Sequence, residues 1–123
     1  MVKFYKCLNC GNVIIKLIDG NIPVMCCGSK MKELVPNTTD AAGEKHVPVV
    51  EVNGKTVKVT VGEVIHPMTE AHLINFVALE TNKGLYVHHF KHTDEPITEF
   101  TLAEGEEVIK VYEYCNLHGL WAK

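Results

Sequence analysis

The residues of this chain best suited to chemistry are thiols and imidazoles, and they fall into two groups along the sequence. Four of the five cysteines lie within residues 1–36, whereas all seven histidines and the fifth cysteine, Cys115, lie within residues 37–123. Both side chains bind transition metals, and an odd number of cysteines fits poorly with a disulfide framework. This partition predicts two sites with different chemistry.

The first group combines a spaced pair of cysteines with an adjacent pair. Cys7 and Cys10 in "CLNCGN" form a C-x2-C knuckle, in which Gly11 lets the backbone turn and direct its amides toward a thiolate. Cys26 and Cys27 in "VMCCGSK" are neighbours, so they cannot form a second knuckle and should spread the sulfur–metal–sulfur angle. A distorted tetrahedral metal site is therefore predicted, on a segment too small to bury an adequate core without it. A purely structural zinc and a strained disulfide between the neighbouring cysteines are the alternatives at this point.

The second group consists of Cys115 and histidines at the edges of predicted strands. Cys115 and His118 in "EYCNLHGLW" are three residues apart, after a strand and in a tight turn, so both can face one ion. A single histidine is more often a surface or satisfied core residue, but several at strand edges together with a thiol indicate a second metal site. The other edge histidines are His46, His66 and His72.

The densest histidine cluster has a different interpretation. His88, His89 and His92 lie in "YVHHFKH", within and just after a predicted strand. Because neighbours on a strand point to opposite faces of the sheet, these side chains do not converge on one ion. We interpret them as surface residues.

The segment that carries the histidines has the pattern of a β-sandwich. The stretches "VPVVEV" and "KTVKVTVGEVI" flank Asn53-Gly54, the favoured pair for a tight hairpin, and in the second stretch valines at 57, 59 and 61 alternate with Lys58 and Thr60. "LINFVALE" and "LYVHHFK" follow, joined by the turn "TNKG", and then come "ITEFTLA" and "EVIKVYEYC" at the spacing typical of a sandwich. No helix is predicted, since Gly105 and the valines oppose one in "TLAEGEEVIKV". We therefore expect a mainly β protein, with a small metal-binding domain at residues 1–36 and a β-sandwich at residues 37–123.

Composition and charge argue against several classes of protein. The net charge of −3 gives no basic stripe for nucleic acid. No apolar run approaches the roughly 20 residues that a membrane helix needs, and the start "MVKFYKCLNC" lacks the apolar core of a signal peptide. We expect a cytoplasmic protein with neither nucleic-acid nor membrane partners.

Five blocks of the sequence resemble known iron-binding motifs. "YKCLNCGN" and "VMCCGSKM" are similar to the small iron domain of desulforedoxin, and "EKHVPVV", "HPMTEAHLI" and "EYCNLHGLW" resemble the iron-site motifs of superoxide reductase. Over essentially the whole chain, the order of the blocks resembles that of desulfoferrodoxin, the two-iron family. The resemblance implies a desulforedoxin-like domain followed by an immunoglobulin-like sandwich, in a homodimer.

The resemblance also implies the ligands of two iron ions. The first iron would be held by Cys7, Cys10, Cys26 and Cys27, and the second by four histidines in a plane, His46, His66, His72 and His118, with Cys115 as its axial ligand. Four thiolates accept zinc as readily as iron, so zinc is an alternative occupant of the first site.

The activity that the resemblance implies is the one-electron reduction of superoxide to hydrogen peroxide at the ferrous histidine site, followed by re-reduction by an external, rubredoxin-like donor. Glu44 matches the family glutamate that closes the sixth iron position in the ferric state, and Lys45 would guide superoxide and orient water for proton delivery. Ferrous iron with one thiolate and four neutral histidines carries a charge of about +1, whereas iron with four thiolates is negative, so only the first attracts an anion.

Rival functions stay open on the sequence alone. A zinc-stabilised binding module explains the N-terminal cysteines but gives no reason for Cys115 beside four edge histidines. A plain electron carrier explains the first site and leaves the second unused. A superoxide dismutase is closer in chemistry, and the axial thiolate and the need for an electron donor separate the two enzymes.

Overall fold

The computed structural model describes residues 2–123, which divide into two compact units, the first ending at Val35 and the second beginning at Pro36. Both units are built from antiparallel strands, so the expected mainly β fold is confirmed. A single helical turn, α1 (Gly43–His46), is the only helix in the described part of the chain. None of the described residues forms a helix long and apolar enough to cross a membrane.

The first unit has very short strands and little buried apolar surface. Its strands are β1 (Phe4–Lys6), β2 (Val13–Ile15), β3 (Met25–Cys26), β4 (Ser29–Lys30) and β5 (Lys32–Leu34). They form a three-stranded sheet in the order β2-β1-β5 and a separate β3–β4 hairpin. Among residues 2–35, only Phe4 and Cys7 are buried. Such a small core supplies little stability, so this unit depends on whatever joins its cysteines.

The second unit is a sandwich of two antiparallel sheets. Its strands are β6 (Pro48–Asn53), β7 (Thr56–Val61), β8 (Ile74–Thr81), β9 (Leu85–His89), β10 (Ile97–Thr101), β11 (Val108–Cys115) and β12 (Gly119–Ala122). One sheet has the order β10-β7-β6 and the other the order β12-β11-β8-β9. This three-plus-four arrangement is the expected sandwich.

The core of the sandwich follows from the period of two in its strands. Along β7, buried valines alternate with partly exposed Thr56, Lys58 and Thr60, as the sequence predicts. The valines belong to one buried cluster with residues from the opposite sheet, among them Val77, Leu79, Val111 and Cys115. Cys115 is therefore a core residue as well as a thiol at the end of a strand.

Four local features differ from the sequence prediction. Asn53 pairs with Thr56, so the hairpin turn consists of Gly54 and Lys55 instead of Asn53 and Gly54, with Gly54 at φ 62°. Strand β7 ends at Val61, earlier than predicted. Helix α1 and strand β12 were not predicted, because each is only four residues long, too short for a periodic signal.

A buried carboxylate joins the loops at one end of the sandwich. Glu106 accepts hydrogen bonds from the Tyr86 hydroxyl at 2.8 and 2.9 Å, the Ala103 amide at 2.8 Å and the Thr81 hydroxyl. The Thr81 hydroxyl, the Ala103 amide and the Tyr86 hydroxyl lower the pKa of Glu106, in that order of effect. The ionised carboxylate therefore stabilises the folded sandwich.

We expect Glu106→Gln to lower the thermal midpoint at pH 7. A carboxyl whose pKa is lower in the folded state stabilises the fold above its unfolded pKa, and that contribution is lost as the pH falls through the folded value. The difference in thermal midpoint between variant and parent should therefore become smaller below a pH of about 4. Near-ultraviolet circular dichroism of Trp121, the one tryptophan, measures the transition. Glu107→Gln, at the exposed next position, is the control, and a gap independent of pH would contradict this role of the carboxylate.

Candidate metal centres

The four N-terminal cysteines converge at one end of the first unit. Cys7 follows β1, Cys10 lies in the next turn, Cys26 ends β3, and Cys27 begins the turn to β4. Their four sulfur atoms lie within 4.8 Å of one another. The Cys10 amide donates to the Cys7 sulfur at 3.4 Å, and Gly11, at φ 84°, donates to the Cys7 carbonyl at 2.9 Å. This is the predicted knuckle.

The sulfur spacing fits a tetrahedral ion. A metal–sulfur distance of about 2.3 Å places the sulfurs of a regular tetrahedron about 3.8 Å apart. The Cys10 and Cys26 sulfurs are 3.6 Å apart, and those of Cys26 and Cys27 are 4.0 Å apart. The adjacent pair is thus slightly spread, as expected. Cys27 achieves this with a left-handed backbone at φ 53°.

Hydrogen bonds within the cysteine cluster give its thiols different pKa values. The Cys10 amide lowers the pKa of Cys7 to about 6, whereas hydrogen bonding with the Cys7 thiol raises the pKa of Cys26 to about 12. Crowding therefore opposes full ionisation of the cluster. A bound cation would remove this conflict by replacing the shared protons.

The second cluster assembles in the sandwich from loops that are far apart in sequence. His46 ends α1, His66 lies in the loop after β7, His72 precedes β8, Cys115 ends β11, and His118 lies in the turn before β12. One nitrogen of each ring and the Cys115 sulfur lie within 4.8 Å of one another. The structure therefore brings together all five residues of the second predicted site.

The ring nitrogens have the spacing of adjacent metal ligands. His46 Nε2 lies 3.2 Å from His66 Nε2 and 3.1 Å from His118 Nδ1. Ligands at right angles and about 2.1 Å from an ion are about 3.0 Å apart. His72 Nε2 is buried and has no hydrogen-bond partner in the described part of the chain. The spacing of these nitrogen atoms is that expected of ligands around one bound cation.

Backbone carbonyls fix the orientation of two of the rings. Nδ1 of His46 donates to the Ala42 carbonyl and Nδ1 of His66 to the Pro67 carbonyl, each at 2.7 Å. The proton is therefore on Nδ1, and the Nε2 lone pair is free for a metal. Burial lowers the pKa of His46 and His72, and lowers that of His66 to about 4. These three rings are neutral at pH 7, as ligation requires.

Cys115 is fully buried, and its sulfur lies 3.9 Å from His118 Nδ1. Burial raises the pKa of the thiol, whereas hydrogen bonds from the amides of Leu117 and His118 lower it. Amides directed at a sulfur stabilise its thiolate form.

Two residues of unpredicted importance hold the cluster together. The Asn116 side chain accepts from the Leu73 amide and donates to the Ala71 carbonyl, both at 2.9 Å, so it ties the loop of His72 to the end of β11. Trp121 stacks on the His46 ring at 5.0 Å, and its indole donates to the His118 carbonyl at 3.1 Å. Neither residue carries a local sequence signal for this role, because both act through long-range contacts.

Glu44 and Lys45, the predicted catalytic pair, lie in α1 directly before His46, and both are exposed. The positive charge of Lys45 contributes to the lowered pKa of His46 and of His72. It therefore acts on two different rings of the cluster. The Glu44 carbonyl accepts from the Val64 amide at 2.9 Å, which attaches this short segment to the loop after β7.

Sequence reasoning missed Glu113, the acidic residue nearest in sequence to Cys115. Its side chain is fully buried, and neither carboxyl oxygen has a hydrogen-bond partner among the described residues. Burial raises the pKa of Glu113 to about 9, so the carboxyl is neutral at pH 7. Alternation along β11 could have revealed it, since Val111, Glu113 and Cys115 share one face.

The cluster of three further histidines lies at the surface, as predicted. His88, His89 and His92 are exposed and belong to neither group of potential metal ligands in residues 2–123. His92 lies 3.9 Å from the Glu70 carboxylate, and His89 packs edge-on against Phe76.

A two-part β protein with one four-sulfur cluster and one cluster of four imidazoles and a thiol defines a class of non-haem metalloprotein. The chain belongs to the desulfoferrodoxin family, whose sequence profile, described as Desulfoferrodoxin, matches residues 38–123. It is 46% identical over 121 residues to a desulfoferrodoxin from Syntrophotalea carbinolica, covering 98% of this chain and 94% of the relative.

Two further relatives carry the name of an enzyme. A superoxide reductase from Thermococcus kodakarensis is 37% identical over 100 residues, covering 67% of this chain and 86% of the relative. The crystal structure of the superoxide reductase from Treponema pallidum matches with a TM-score of 0.84 at 36% identity, covering 100% of this chain and 98% of that one. The similarity therefore spans both units of the chain.

We expect the two clusters to load metal independently, because their ligands come from separate units. Cys7→Ser should reduce the metal content of purified protein at the four-cysteine site alone, and Cys115→Ser at the histidine site alone. Metal analysis by mass spectrometry, together with the visible spectrum, measures both. Loss of both metals from either single change would contradict independent sites.

Proposed function

We propose that this protein is a superoxide reductase, which reduces superoxide to hydrogen peroxide by one electron and is re-reduced by an external donor. The observation that carries the proposal is the cluster of four imidazoles and one buried thiol, with a lysine at its exposed side. Relatives named superoxide reductase, matching over two thirds of the chain or more, support it.

The histidine–thiol cluster is proposed to hold iron. Iron bound by His46, His66, His72, His118 and Cys115 would supply the electron that reduces superoxide. A single thiolate with neutral imidazoles suits iron that is to reduce a small anion, and the thiolate would make the bound iron richer in electrons.

Burial determines from which side a small anion can reach the cluster. Cys115 is fully buried in the core, and His46 and His66 are almost completely buried. His72 and His118 are partly exposed, and Glu44 and Lys45 are exposed. Superoxide is therefore proposed to arrive from the exposed side, opposite the thiol.

Lys45 is proposed to attract superoxide and to orient water for proton delivery. Its charge already acts on His46 and His72, and superoxide is a small anion that this charge favours. Glu44, the residue before Lys45, is proposed to cover the exposed side of the cluster after superoxide has been reduced and to help release peroxide. The position of both residues in α1, directly before His46, supports these proposed roles.

The four-cysteine cluster is proposed to hold a second iron, with zinc as the alternative occupant. With ferrous iron or with divalent zinc, four thiolates give this site a net negative charge. It therefore repels superoxide and is better suited to carrying electrons or to stabilising the first unit. Cys10 and Cys27 are exposed, which favours contact with a redox partner. We propose a rubredoxin-like donor, a homodimer and a cytoplasmic location.

The rivals explain less of the molecule. A zinc-stabilised binding module or a plain electron carrier requires only the first cluster. Neither accounts for Cys115, whose burial raises the pKa of the thiol while two amides favour its ionisation. A dismutase would use the same cluster, and the thiolate and the reductase's need for an electron donor separate the two enzymes.

Lys45→Ile should slow the reaction of iron-loaded protein with superoxide about tenfold, within the range of electrostatic focusing, and should weaken its dependence on salt. Pulse radiolysis at several ionic strengths measures both effects. The matched control is Lys55→Ile, which removes an equal charge at the far end of the β6–β7 hairpin. Equal slowing in both variants would contradict a specific role for Lys45.

A reductase and a dismutase differ in what they consume. Reduced, iron-loaded protein without a donor should remove about one superoxide per histidine-site iron and then stop, since it does not recover the electron. A rubredoxin-type donor with its reductase and a nicotinamide source should restore turnover, with one peroxide formed per superoxide. Peroxide, oxygen and reductant are measured together under a steady superoxide flux. Sustained removal without donor, with oxygen evolved, would disprove the reductase assignment.

A further inference from the structure

The segment that carries Glu44 and Lys45 rests directly on the backbone of the loop after β7. At Gly62, a Cβ atom would lie 2.8 Å from the Glu44 carbonyl oxygen, 2.9 Å from the Lys45 carbonyl carbon and 3.1 Å from the Val47 carbonyl oxygen. All three are backbone atoms, so no side chain can rotate away to make room. Any residue other than glycine at this position must displace one of the two segments.

Hydrogen bonds join the same two segments. The Val64 amide donates to the Glu44 carbonyl at 2.9 Å, and the His66 amide donates to the Val61 carbonyl at 3.0 Å, closing the loop between them. This loop, residues 61–66, therefore leads into one candidate ligand, His66, while its backbone supports the segment that ends in another, His46.

The segment that carries Glu44 and Lys45 is less tightly packed on another side than it is against Gly62. A surface pocket of about 240 Å³ is lined in part by Glu44, Glu63 and Lys123. The side chains of Glu44 and Lys45 are exposed, so side-chain packing does little to fix them. The contact with Gly62 and the Val64 hydrogen bond both restrain the position of this backbone relative to the histidines.

We propose that Gly62 is a positioning residue, whose missing side chain lets the Glu44–Lys45 backbone lie close to the histidine cluster and so sets the distance between the Lys45 charge and the incoming anion. This proposal rests on the proposed function of Lys45. A displacement of about 1 Å in a positioning group is enough to change a rate substantially. Gly62 acts through Lys45 and does not itself touch substrate.

Gly62→Ala tests the proposal, with Gly84→Ala as the matched control, since a Cβ at Gly84 would meet nothing within 4 Å. In iron-loaded full-length protein, Gly62→Ala should slow the reaction with superoxide roughly three- to tenfold, while iron content is retained and Gly84→Ala has no effect. In the Lys45→Ile background, Gly62→Ala should cause no further slowing, because the charge that it displaces is already absent. Additive slowing in the double variant would overturn the proposal.

Two readouts do not depend on catalysis. Hydrogen exchange at the Val64 amide should be faster in Gly62→Ala than in the parent, because its bond to the Glu44 carbonyl is disturbed. In a Glu44→Ala background, which removes the carboxylate proposed to compete with anions, the affinity of the ferric protein for azide, an anion of the same charge as superoxide, should fall in Gly62→Ala and in Lys45→Ile alike. Unchanged exchange and unchanged azide affinity would overturn the positioning role even if superoxide reduction is established.

The two proposals fail in different ways. If the parent protein does not reduce superoxide, the proposed function fails, whereas changed azide affinity and Val64 exchange would still support positioning of Lys45 by Gly62. If Gly62→Ala does not fold, Val64→Pro replaces it, because proline removes the amide that binds the Glu44 carbonyl. Azide affinity unchanged in Val64→Pro would then overturn the proposal.

Discussion

The structure depends above all on holding ring nitrogens of the histidine cluster closer together than they would lie in the absence of a cation. His46 Nε2 and His66 Nε2 lie 3.2 Å apart with their lone pairs toward one another, because both rings carry the proton on Nδ1, and burial keeps these two rings neutral. Without a cation such an arrangement is unfavourable, so the fold must impose it. It does so with backbone carbonyls that fix the protons of His46 and His66 on the outer nitrogens, and with Asn116, which ties two ligand loops together.

The two units position their candidate metal ligands in opposite ways. The sandwich has a continuous apolar core of its own, and Cys115 is part of it, so the thiol is positioned before any metal binds. The first unit has very short strands and little buried apolar surface, and its cysteines lie partly at the surface. Metal binding there contributes to folding, whereas in the sandwich it uses a site that folding has already built.

Burial and charge differ between the two sides of the histidine cluster. The thiol and two rings are enclosed by the core, whereas the other two rings and the Glu44–Lys45 segment face outward. The outward segment is short and exposed, yet backbone contacts at Gly62 and Val64 restrain it. Under the proposed function, a small anion would meet this restrained positive charge on its way to the cluster. Relatives that are similar to this chain in sequence over most of their own length include proteins named desulfoferrodoxin and superoxide reductase.

The sequence by itself determined the features that depend on near neighbours or on a regular period. The spacing of Cys7 and Cys10 predicts a knuckle, alternation along β7 predicts its buried face, and Cys115 with His118 in a tight turn predicts convergence on one point. The resemblance to known motifs then grouped the remaining histidines. These signals are readable because each depends on few residues or on a repeated pattern.

Tertiary structure alone decided which distant backbones meet. The hairpin turn moved from Asn53-Gly54 to Gly54-Lys55, since strand register depends on cross-strand packing along its whole length. Trp121 stacks on a histidine 75 positions earlier, and Gly62 contacts Glu44 across 18 positions. Such contacts follow from how two sheets close around a shared core, and one sequence without its fold contains no local trace of them, because a glycine in a turn looks the same whether or not another backbone lies against it.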